Sequence, residues 1–398
     1  MTAEKQTALS FEDWIKPYFA LTPKPARGPQ RFEAFKRLCE ALGHPERKIP
    51  AIHIAGTNGK GSVTTMVSRA LWHGGVRVGA FTSPHLRHFS ERIWSCGHNV
   101  PENWVVTNGE QLFKECRDLG FALGFFEWSF LLALRFFSEE KVDVMVIEAG
   151  IGGALDTTNV VAPVIAALTS VGKDHEDLLG STIEEITRDK SGIFKAPAPA
   201  IIGPQVPALA EQIAQSQGCK TIRIPPATTF IQENEAIAKA VLSHLPLRFS
   251  VNEQAIAEGL SKKPFGRMEI LGKSLVLDVA HNHAAVVQAA ACIANYFNDL
   301  FGLVVCFAGD KDIKACLEPL IGKVSFFYVS FFKHPRCSKK EAFEQAFKEL
   351  GVNNYAFYPE VEEGLKAALK VRDGKSPKVA ILGSFYLASE CLAFLDKQ

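Results

Sequence analysis

The 398-residue sequence lacks an excess of either charge, because 44 lysines and arginines face 43 aspartates and glutamates and leave a formal net charge of +1. Composition therefore gives no support for binding to nucleic acid or to a membrane surface, both of which attract basic proteins. Charged residues make up 22% and hydrophobic residues 47% of the chain, values typical of a soluble globular protein. We expect small-molecule partners, no nucleic acid and no membrane.

Paired cysteines and long apolar runs are also missing. The nine cysteines are scattered and include no C-x-x-C pair, so we expect buried thiols in a reducing compartment rather than a disulfide framework or a zinc site. No apolar run reaches the length of a membrane span. The first residues, MTAEKQ, lack the basic and apolar regions of a leader peptide. These absences predict a cytoplasmic protein.

Glycines are concentrated in residues 51–62, AIHIAGTNGKGS, where a short apolar run leads into a turn. A helix-forming stretch, residues 62–72, follows at once. Gly56, Gly59 and Gly61 allow the backbone to approach an anion closely, and the N–H groups of the turn and of the helix N-terminus point toward it. The order of strand, glycine turn and helix indicates a loop that binds nucleotide phosphates. The alternative is a glycine turn that only connects strand to helix.

One lysine and two hydroxyls accompany these glycines. Lys60, which we expect on a solvent-facing loop, supplies a point charge for the β- and γ-phosphates, and the hydroxyl of Ser62 or Thr57 can help to hold Mg²⁺. The match to the P-loop pattern G-x-x-x-x-G-K-[ST] is imperfect, because Gly61 separates the lysine from the hydroxyl. We interpret the segment as the binding loop of a nucleoside triphosphate.

Three polar residues follow predicted strands, and we expect them at the ligand edge of a parallel sheet. Glu148 ends one apolar run, and Ser83 and His175 follow two others. A carboxylate in this position can hold Mg²⁺ beside the phosphate loop, the alternative being a solvated glutamate at a strand end. Mg²⁺ prefers oxygen ligands, so a metal-binding role of His175 needs further support. Lys190, in a predicted helix, is by itself interpreted as a solvated charge.

Apolar runs alternate with helical patterns on both sides of a break at residues 262–266, KKPFG. Continuous apolar strands between helices predict parallel sheets covered on both faces. A chain of this length is expected to form two domains. We predict an α/β protein with an N-terminal phosphate-loop domain over residues 1–265 and a C-terminal Rossmann-like domain over residues 266–398. Among the single elements, we predict an irregular segment over 218–231 and helices over 111–119 and 360–371.

Seven blocks spread over nearly the whole chain resemble, in the same order, folylpolyglutamate synthase and dihydrofolate synthase, members of the Mur ligase superfamily of ATP-dependent amide-forming enzymes. The blocks are residues 54–62 (IAGTNGKGS), 82–92 (TSPHLRHFSER), 147–159 (IEAGIGGALDTTN), 175–195 (HEDLLGSTIEEITRDKSGIFK), 278–282 (DVAHN), 309–313 (GDKDI) and 383–388 (GSFYLA). One block alone is only suggestive, whereas the whole set is specific. The resemblance implies a P-loop domain of the Mur-ligase central type with a mostly parallel sheet, followed by a Rossmann-like domain.

The resemblance also implies roles for the matching residues. The ATP-binding residues it implies are Thr57, Asn58, Gly59, Lys60, Gly61, Ser62, Asn234, Arg267, Asp278 and His281. The Mg²⁺ ligands it implies are Ser83, Glu148, His175 and Lys190, the last as a carbamate, and the catalytic set is Lys60, Glu148, His175 and Lys190. The pterin-bearing substrate is implied to bind beside Phe126, Glu127, Ala154, Leu155 and Asp156. Because both domains contribute, the ATP site is expected to be complete only when they close.

This sequence departs from the family pattern at several positions. The family usually carries arginine in place of Ala154 and proline in place of Phe265 and His283. Residues 203–232 are shorter than in the family pattern and are expected to lack its extra β segment. The change at Ala154 bears on substrate preference more than on ATP chemistry.

We therefore interpret the chain as a monomeric ligase that uses ATP and Mg²⁺ to add L-glutamate to dihydropteroate, to the γ-carboxyl of reduced folates, or to both. A muramoyl-peptide ligase needs an additional N-terminal domain, and the roughly fifty residues before the phosphate loop are too few for one. A P-loop GTPase or kinase does not explain Asp278 and His281. Two further alternatives are a superfamily ligase that acts on another carboxylate and a nucleotide-binding relative without catalysis.

Overall fold

The computed structural model describes residues 10–22, 27–370 and 377–397. Helices alternate with the strands of two sheets, and most neighbouring strands in both sheets are parallel. This confirms the predicted α/β class. No helix among the described residues has both the length and the apolar character needed to cross a bilayer.

The first sheet has eight strands within the described residues. They are β1 (Ala51–Ala55), β2 (Val78–Phe81), β3 (Ile93–Ser95), β4 (His98–Asn99), β5 (Val144–Glu148), β6 (Pro163–Ser170), β7 (Ala200–Gln205) and β8 (Thr221–Arg223). Their order is β4-β3-β2-β5-β1-β6-β7-β8, and the pairs β2–β3 and β3–β4 are antiparallel. Because β1 lies between β5 and β6, which both come later in the chain, the carboxyl ends of these strands border a crevice of the kind that binds ligands.

Helices cover both faces of this sheet. They are α1 (Phe11–Phe19), α2 (Pro29–Ala41), α3 (Lys60–His73), α4 (Glu102–Asp118), α5 (Phe125–Glu139), α6 (Glu176–Leu179), α7 (Ile183–Ser191), α8 (Ala208–Ser216), α9 (Phe230–Ser243) and α10 (Glu253–Leu260). On one face, the aromatic side chains of α5 pack in a core that includes Trp128 and Phe137. On the other face, α3 and α9 contribute Val67 and Ile237 to a second core. Burial on both faces accounts for the continuous apolar runs of the central strands.

The second sheet has six strands within the described residues. They are β9 (Glu269–Ile270), β10 (Leu275–Asp278), β11 (Phe301–Val305), β12 (Val324–Ser330), β13 (Tyr355–Tyr358) and β14 (Val379–Leu382). Their order is β13-β12-β11-β14-β10-β9, in which only β9 pairs antiparallel. Its helices are α11 (His283–Phe297), α12 (Ile313–Leu317), α13 (Lys340–Leu350), α14 (Val361–Leu369) and α15 (Phe385–Leu395). The two sheets lie on either side of the predicted boundary at residue 265, which stays a prediction as a domain limit.

A leucine from the first half completes the core of the second half. Leu86, in the loop after β2, is 3% exposed and belongs to the hydrophobic cluster built around the second sheet. It lies so close to Gly266 that a Cβ atom added there would be 2.6 Å from Leu86 Cδ2. The next residue, Arg87, pairs with Asp396 at 2.7 Å and stacks on Phe265, with its guanidinium carbon 4.9 Å from the ring centroid. The loop after β2 is therefore anchored in the second half.

Several single elements differ from the predictions. Residues 218–231 are not wholly irregular, because Thr221–Arg223 forms the edge strand β8, which pairs with β7. The helix predicted over 111–119 begins earlier, at Glu102, with a buried stripe that starts at Val105. The helix predicted over 360–371 ends at Leu369, and residue 371 lies outside the described residues. Three-residue edge strands carry too short an apolar pattern to be predicted from periodicity.

Candidate functional site

The glycine turn after β1 is shaped by close approach of other chain segments. Gly56 and Gly59 have φ angles of +152° and +87°, which favour glycine. A Cβ atom added at Gly56 would lie 2.0 Å from Thr169 Oγ1, and one added at Gly59 would lie 2.4 Å from Asn234 Oδ1. Neither position can therefore carry a side chain without movement of its neighbours. The loop is held between β6 and α9, which brings the predicted nucleotide residue Asn234 against it.

Lys60 does not project freely into solvent, so the expectation of a solvent-facing lysine is wrong. It is the first residue of α3 and is half-buried. Its ammonium folds back onto the loop and donates to the carbonyl oxygens of Gly56 at 2.9 Å and Thr57 at 3.1 Å. Burial lowers the pKa of Lys60 below its ordinary value. The ammonium of Lys60 therefore lies at the centre of the glycine turn, where a bound phosphate would take the place of the two carbonyl oxygens as its hydrogen-bond acceptor.

Lys190 is also buried, contrary to the interpretation of a solvated helix charge. It lies in the last turn of α7, is 3% exposed, and donates to Gly56 O at 3.1 Å. Burial, followed by the charge of Lys60, lowers the pKa of Lys190 to about 7. A helix that begins far along the chain from the phosphate loop thus delivers a second amine to the same carbonyl oxygen.

Glu148 ends β5 and is 4% exposed, so the alternative of a solvated strand-end glutamate is wrong. Its Oε2 atom accepts a hydrogen bond from the backbone N–H of Ser83 at 3.0 Å. Burial raises the pKa of Glu148, and the charge of Lys60 opposes that rise. A Cβ atom added at Gly61 would lie 3.4 Å from Glu148 Oε2. The glycine that makes the P-loop match imperfect therefore faces the carboxylate across a narrow gap.

His175 lies in the loop that follows β6 and precedes α6. It has a left-handed backbone with φ of +53°, and its side chain is 26% exposed. Burial lowers the pKa of His175, which favours the neutral imidazole, the form that binds metals. The preceding residue, Asp174, accepts a hydrogen bond from Lys311 of the second half at 2.5 Å.

The predicted nucleotide residues of the second half are grouped around the carboxyl end of β10, and their neighbours contact the phosphate loop. Asp278 ends β10 and accepts hydrogen bonds from the backbone N–H groups of residues 268 and 280, both at 2.8 Å. The side chains of Asn58 and Asn282 exchange two hydrogen bonds of 3.2 Å across the halves. Arg267 is close enough for its charge to lower the pKa of Glu148. The structure therefore brings these residues of both halves into one crevice.

His281, the remaining nucleotide residue of this set, lies between Asp278 and the first half. Its Nδ1 atom is 2.9 Å from the carbonyl oxygen of Val279, and its Nε2 atom is 3.8 Å from Asp174 Oδ2. Burial lowers the pKa of His281 to about 4. The imidazole is neutral near pH 7 and contacts the boundary between the halves.

The predicted substrate residues lie in two neighbouring segments. The Phe126 ring packs on the glycine turn after Glu148, since a Cβ atom added at Gly150 would lie 2.6 Å from its Cζ atom. Ala154 and Leu155 are half-buried. The carboxylate of Asp156 is buried and accepts hydrogen bonds from the N–H groups of residues 151 and 158, both at 2.9 Å. Phe126, Ala154 and Leu155 therefore offer surface beside Glu148, whereas the Asp156 carboxylate is engaged within its own loop.

Glu127 is occupied by a structural contact rather than presented to the crevice. It is 6% exposed and accepts hydrogen bonds from Nε and Nη2 of Arg31 and from the N–H of Gly124, the cap of α5. The Nε bond is 2.6 Å and the backbone bond is 2.8 Å. A bidentate arginine partner and a helix cap use most of the acceptor capacity of this carboxylate. The geometry gives no support to the predicted contact between Glu127 and the substrate.

The surroundings of positions 154 and 283, which depart from the family pattern, differ. A Cβ atom added at Gly192 would lie 2.5 Å from Ala154 Cβ, so α7 ends directly against the loop that carries Ala154. His283 is the first residue of α11, a position that accepts proline without loss of a hydrogen bond. Its Nδ1 atom lies 2.6 Å from the carbonyl oxygen of Ala315. The histidine thus keeps the helix start and adds a contact.

The residues of the crevice fit a nucleotide and a divalent cation. The glycine turn leaves a concave backbone without side chains and holds two amines, which suits phosphate oxygens. The carboxylate of Glu148, the hydroxyl of Ser83 and the neutral imidazole of His175 are donors that a divalent cation accepts. An unmodified ammonium on Lys190 would repel such a cation, whereas a carbamate would supply oxygen ligands. The four side chains therefore fit a divalent cation when Lys190 carries a carbamate, and not when it carries an ammonium.

Sequence reasoning missed several residues of the crevice. They are Arg27, which pairs with Asp189 at 2.9 Å, Arg92, whose Nε donates to His85 Nδ1 at 2.7 Å, and the boundary residues Asp174, Asn282 and Lys311. Arg92, Asn282 and Lys311 stand inside quoted blocks of the sequence, and Asp174 stands beside one. Their position in or beside these blocks was the available signal.

Comparison with known proteins decides the family. Residues 54–243 match the model of the Mur ligase middle domain. A protein of Escherichia coli (strain K12) named dihydrofolate synthase/folylpolyglutamate synthase is 31% identical over 373 residues, which are 86% of this chain and 86% of that protein. The chain belongs to the dihydrofolate synthase/folylpolyglutamate synthase family. The resemblance stated from the sequence blocks is thereby confirmed.

Solved structures of the dihydrofolate synthase/folylpolyglutamate synthase family share the fold of this chain. The structure of E. coli FolC in complex with DHPP and ADP has a TM-score of 0.85 and 28% sequence identity, and 98% of each chain is covered. A bifunctional folylpolyglutamate synthase/dihydrofolate synthase with Mn, AMPPNP and L-glutamate bound gives the same TM-score, identity and coverage. The predicted fold, with its Mur-ligase middle domain, is thereby confirmed.

Proposed function

We propose that this chain uses ATP to join L-glutamate to the carboxylate of dihydropteroate, to the γ-carboxyl of a reduced folate, or to both. The observation that carries the proposal is the meeting of the phosphate loop, Glu148 and the segment 278–282 in one crevice of a family member. The nucleotide analogue, Mn and L-glutamate named for one solved relative, and the DHPP and ADP named for another, support the same set of substrates.

The chemistry needs ATP because a carboxylate is a poor electrophile. Transfer of the γ-phosphoryl group to the carboxylate gives an acyl phosphate and ADP, and the amine of glutamate then displaces phosphate through a tetrahedral intermediate. Most of the enzyme's contribution to such a reaction is positioning and charge stabilisation. We assign Lys60 and the backbone N–H groups of residues 57–62 to the phosphates, where they offset the charge that repels an anionic nucleophile.

The remaining residues take the roles expected from the sequence, except Glu127 and Asp156, whose carboxylates are engaged in other contacts. Ser83, Glu148 and His175 would hold a divalent cation, which we propose is Mg²⁺, with Lys190 as a further ligand in its carbamate form. The bound cation would act as a Lewis acid toward the phosphoryl oxygens. Arg267, Asp278, His281 and Asn234 would contact the nucleoside. Phe126, Ala154 and Leu155 would contact the pterin-bearing substrate.

The organisation of the protein is part of the proposal. We place an ATP-binding domain at residues 1–265 and a second ligase domain at residues 266–398, supported by the two separate sheets. We further propose a monomer that functions in the cytoplasm, as expected from the composition and from the small-molecule substrates of this family.

An omission experiment tests the function. ADP release is measured with ATP, Mg²⁺ and L-glutamate together with dihydropteroate or tetrahydrofolate, and each component is left out in turn. We expect ADP release over many turnovers only when a carboxylate substrate and glutamate are both present, and a product heavier by one glutamyl residue in the mass spectrum. Multiple-turnover ADP release that is independent of glutamate would contradict the ligase assignment. Binding of ATP without turnover on either acceptor would favour the non-catalytic alternative.

A further inference from the structure

The carboxylate of Asp174 belongs to the first half but is held mainly by side chains of the second half. Its side chain is 6% exposed. Oδ1 accepts hydrogen bonds from Lys311 Nζ at 2.5 Å and from the backbone N–H of His175 at 3.0 Å. Oδ2 accepts one from Asn282 Nδ2 at 3.0 Å and lies 3.8 Å from His281 Nε2. Three side chains of the second half thus converge on one acidic group beside the phosphate loop.

Lys311 is the cation that balances this carboxylate near neutral pH. Its side chain is 8% exposed, and although burial lowers its pKa, Asp174 and Asp310 raise it above the ordinary value. The ammonium of Lys311 is 2.5 Å from the carboxylate, whereas His281 Nε2 and His175 Nε2 lie 3.8 and 4.0 Å away. A buried carboxylate that loses its closest cationic partner is strongly destabilised. The contact with Lys311 therefore matters more than those with the two imidazoles.

The loop that presents Lys311 is itself held in place. Gly309 donates its N–H to the carbonyl oxygen of Arg336 at 2.7 Å, and Asp310 receives Arg336 Nη2 at 3.0 Å and Lys311 Nζ at 3.0 Å. The ammonium of Lys311 is thus positioned by the second half before it meets Asp174. A preorganised donor loses less entropy on contact than a free lysine does.

We propose that Lys311 is a positioning residue, which holds the Asp174 carboxylate across the two halves and so sets the backbone of His175 beside the phosphate loop. The same carboxylate oxygen receives both Lys311 and the N–H of His175, which couples the two. His175 has a left-handed backbone, a conformation that non-glycine residues keep only with support from their surroundings. The inference rests on the proposed function insofar as His175 serves the ligase reaction there.

Hydrogen–deuterium exchange of the full chain tests the contact without relying on activity. Lys311→Met removes the ammonium and keeps a similar length. Lys314→Met is the matched control, because Lys314 is a nearby lysine of α12 that pairs with Glu349 at 2.8 Å on the surface. We expect amides of residues 174–179 to exchange at least about fivefold faster in Lys311→Met and at the wild-type rate in Lys314→Met. Unchanged exchange in Lys311→Met would overturn the proposal.

A double-mutant cycle tests whether Lys311 acts through Asp174. Asp174→Asn removes the charge that Lys311 balances and keeps the shape of the side chain. We expect Lys311→Met to accelerate exchange and reduce turnover in the wild-type background, and to add less than about a twofold effect in the Asp174→Asn background. Additive effects would overturn the proposal. If Lys311→Met does not fold, Lys311→Gln, which keeps a polar side chain, replaces it in the same cycle.

Kinetics separates this inference from the proposed function. At saturating ATP we expect Lys311→Met to lower kcat at least about tenfold and to raise the half-saturating concentration of Mg²⁺, with little change in the KM for the folate substrate. If Lys311 had only a structural role, the variant would contain less folded enzyme, but the half-saturating concentration of Mg²⁺ for that enzyme would be unchanged. If the wild-type chain shows no ligase activity, the proposed function fails while the exchange data still report on the contact. If the wild type is active and Lys311→Met equals it in exchange and kinetics, only the inference fails.

Discussion

Lys60 and Lys190 donate hydrogen bonds to one acceptor, the carbonyl oxygen of Gly56, at 2.9 and 3.1 Å. Two ammonium groups that share one neutral acceptor in a buried site repel each other, and this repulsion disfavours the doubly charged state. An anion bound at the glycine turn, or loss of a proton from Lys190, relieves this repulsion. The first outcome favours phosphate binding, and the second gives the neutral amine that a carbamate requires.

Replacement of Lys60 by alanine is expected to lower kcat by about 10³-fold or more, because a phosphoryl-transfer site loses a charge placed on the transferred group. Lys60 also bonds two carbonyl groups of its own loop. We therefore expect a loss of stability of about 1–3 kcal/mol, measured by urea unfolding, in addition to the loss of turnover. Lys239→Ala, at an exposed position of α9, serves as the control. Turnover near the wild-type value in Lys60→Ala would refute the phosphate-loop assignment.

Lys190 is expected to carry a carbamate whose amount increases with pH. With a pKa of about 7, the amine is mostly protonated at pH 6 and mostly neutral at pH 8, and only the neutral amine reacts with carbon dioxide. A carbamate signal from ¹³C-labelled bicarbonate should therefore grow between these pH values in the wild type and be missing in Lys190→Ala. The alanine variant should lose activity that added formate or acetate partly restores. Full activity of Lys190→Ala would show that this lysine is no metal ligand.

Arg267→Gln is expected to weaken ATP binding, because the guanidinium reaches the crevice from the second half while its charge acts on Glu148. Loss of one charged hydrogen bond to a nucleotide corresponds to about tenfold in Kd or more. Calorimetry with a non-hydrolysable ATP analogue measures the change. Lys262→Gln, at an exposed position before the predicted boundary, should bind like the wild type. Equal affinities for both variants would argue against a nucleotide site shared by the halves.

Glu127→Ala and Phe126→Ala are expected to have opposite signatures. Loss of the Glu127 carboxylate leaves the partly buried guanidinium of Arg31 without its ion partner, which should reduce the free energy of unfolding by about 1–3 kcal/mol. The KM for the pterin-bearing substrate should change little in the folded fraction. Phe126→Ala should instead raise that KM with a smaller loss of stability. A large KM effect of Glu127→Ala in folded protein would restore Glu127 to the substrate site.

His53 is expected to make the protein sensitive to mild acid. The side chain is 0% exposed, and burial lowers the pKa of His53 to about 3. Below pH 6.5 the unfolded chain binds a proton that the folded chain refuses, so stability falls as the pH decreases from about 6.5 to 3. At pH 5.5 this costs about 1.4 kcal/mol. Urea unfolding gives the free energy of unfolding at pH 7.5 and at pH 5.5. The loss between these two pH values should be smaller by that amount in His53→Gln than in the wild type. An equal loss in both proteins would exclude His53 as a source of the acid sensitivity.

The edge position of Glu148 follows from the sequence, because a carboxylate that ends a fully apolar run in an α/β pattern has few other places to lie. The burial of Lys190 does not follow from it. The helix around Lys190 is rich in charge, with Glu184, Glu185 and Arg188 nearby, a pattern typical of a solvated helix. Its buried amine donates a hydrogen bond to the carbonyl oxygen of Gly56, which lies 134 residues earlier in the chain. Such a contact depends on how two distant segments pack, which local periodicity does not encode.

The same limit explains Glu127 and Lys311. Glu127 precedes Trp128 in the first turns of α5, but its partner Arg31 lies 96 residues away, so the ion pair has no local signal. Lys311 lies in a quoted block, yet its contact with Asp174 spans 137 residues. Sequence patterns predicted which segments approach the crevice. The pairing of individual side chains across the halves required the structure.

The burial of Leu86 in the core of the second half has a consequence for how this protein can be recombined. The loop 83–88 and the pocket around Gly266 share one packed surface, so a chimera that exchanges the C-terminal half for that of a relative inherits a cavity or a clash at this position unless the loop is exchanged with it. Selection for good packing would therefore make substitutions at Leu86, three positions after Ser83, depend on substitutions in the second half of the chain. The two halves are interchangeable only as a matched set.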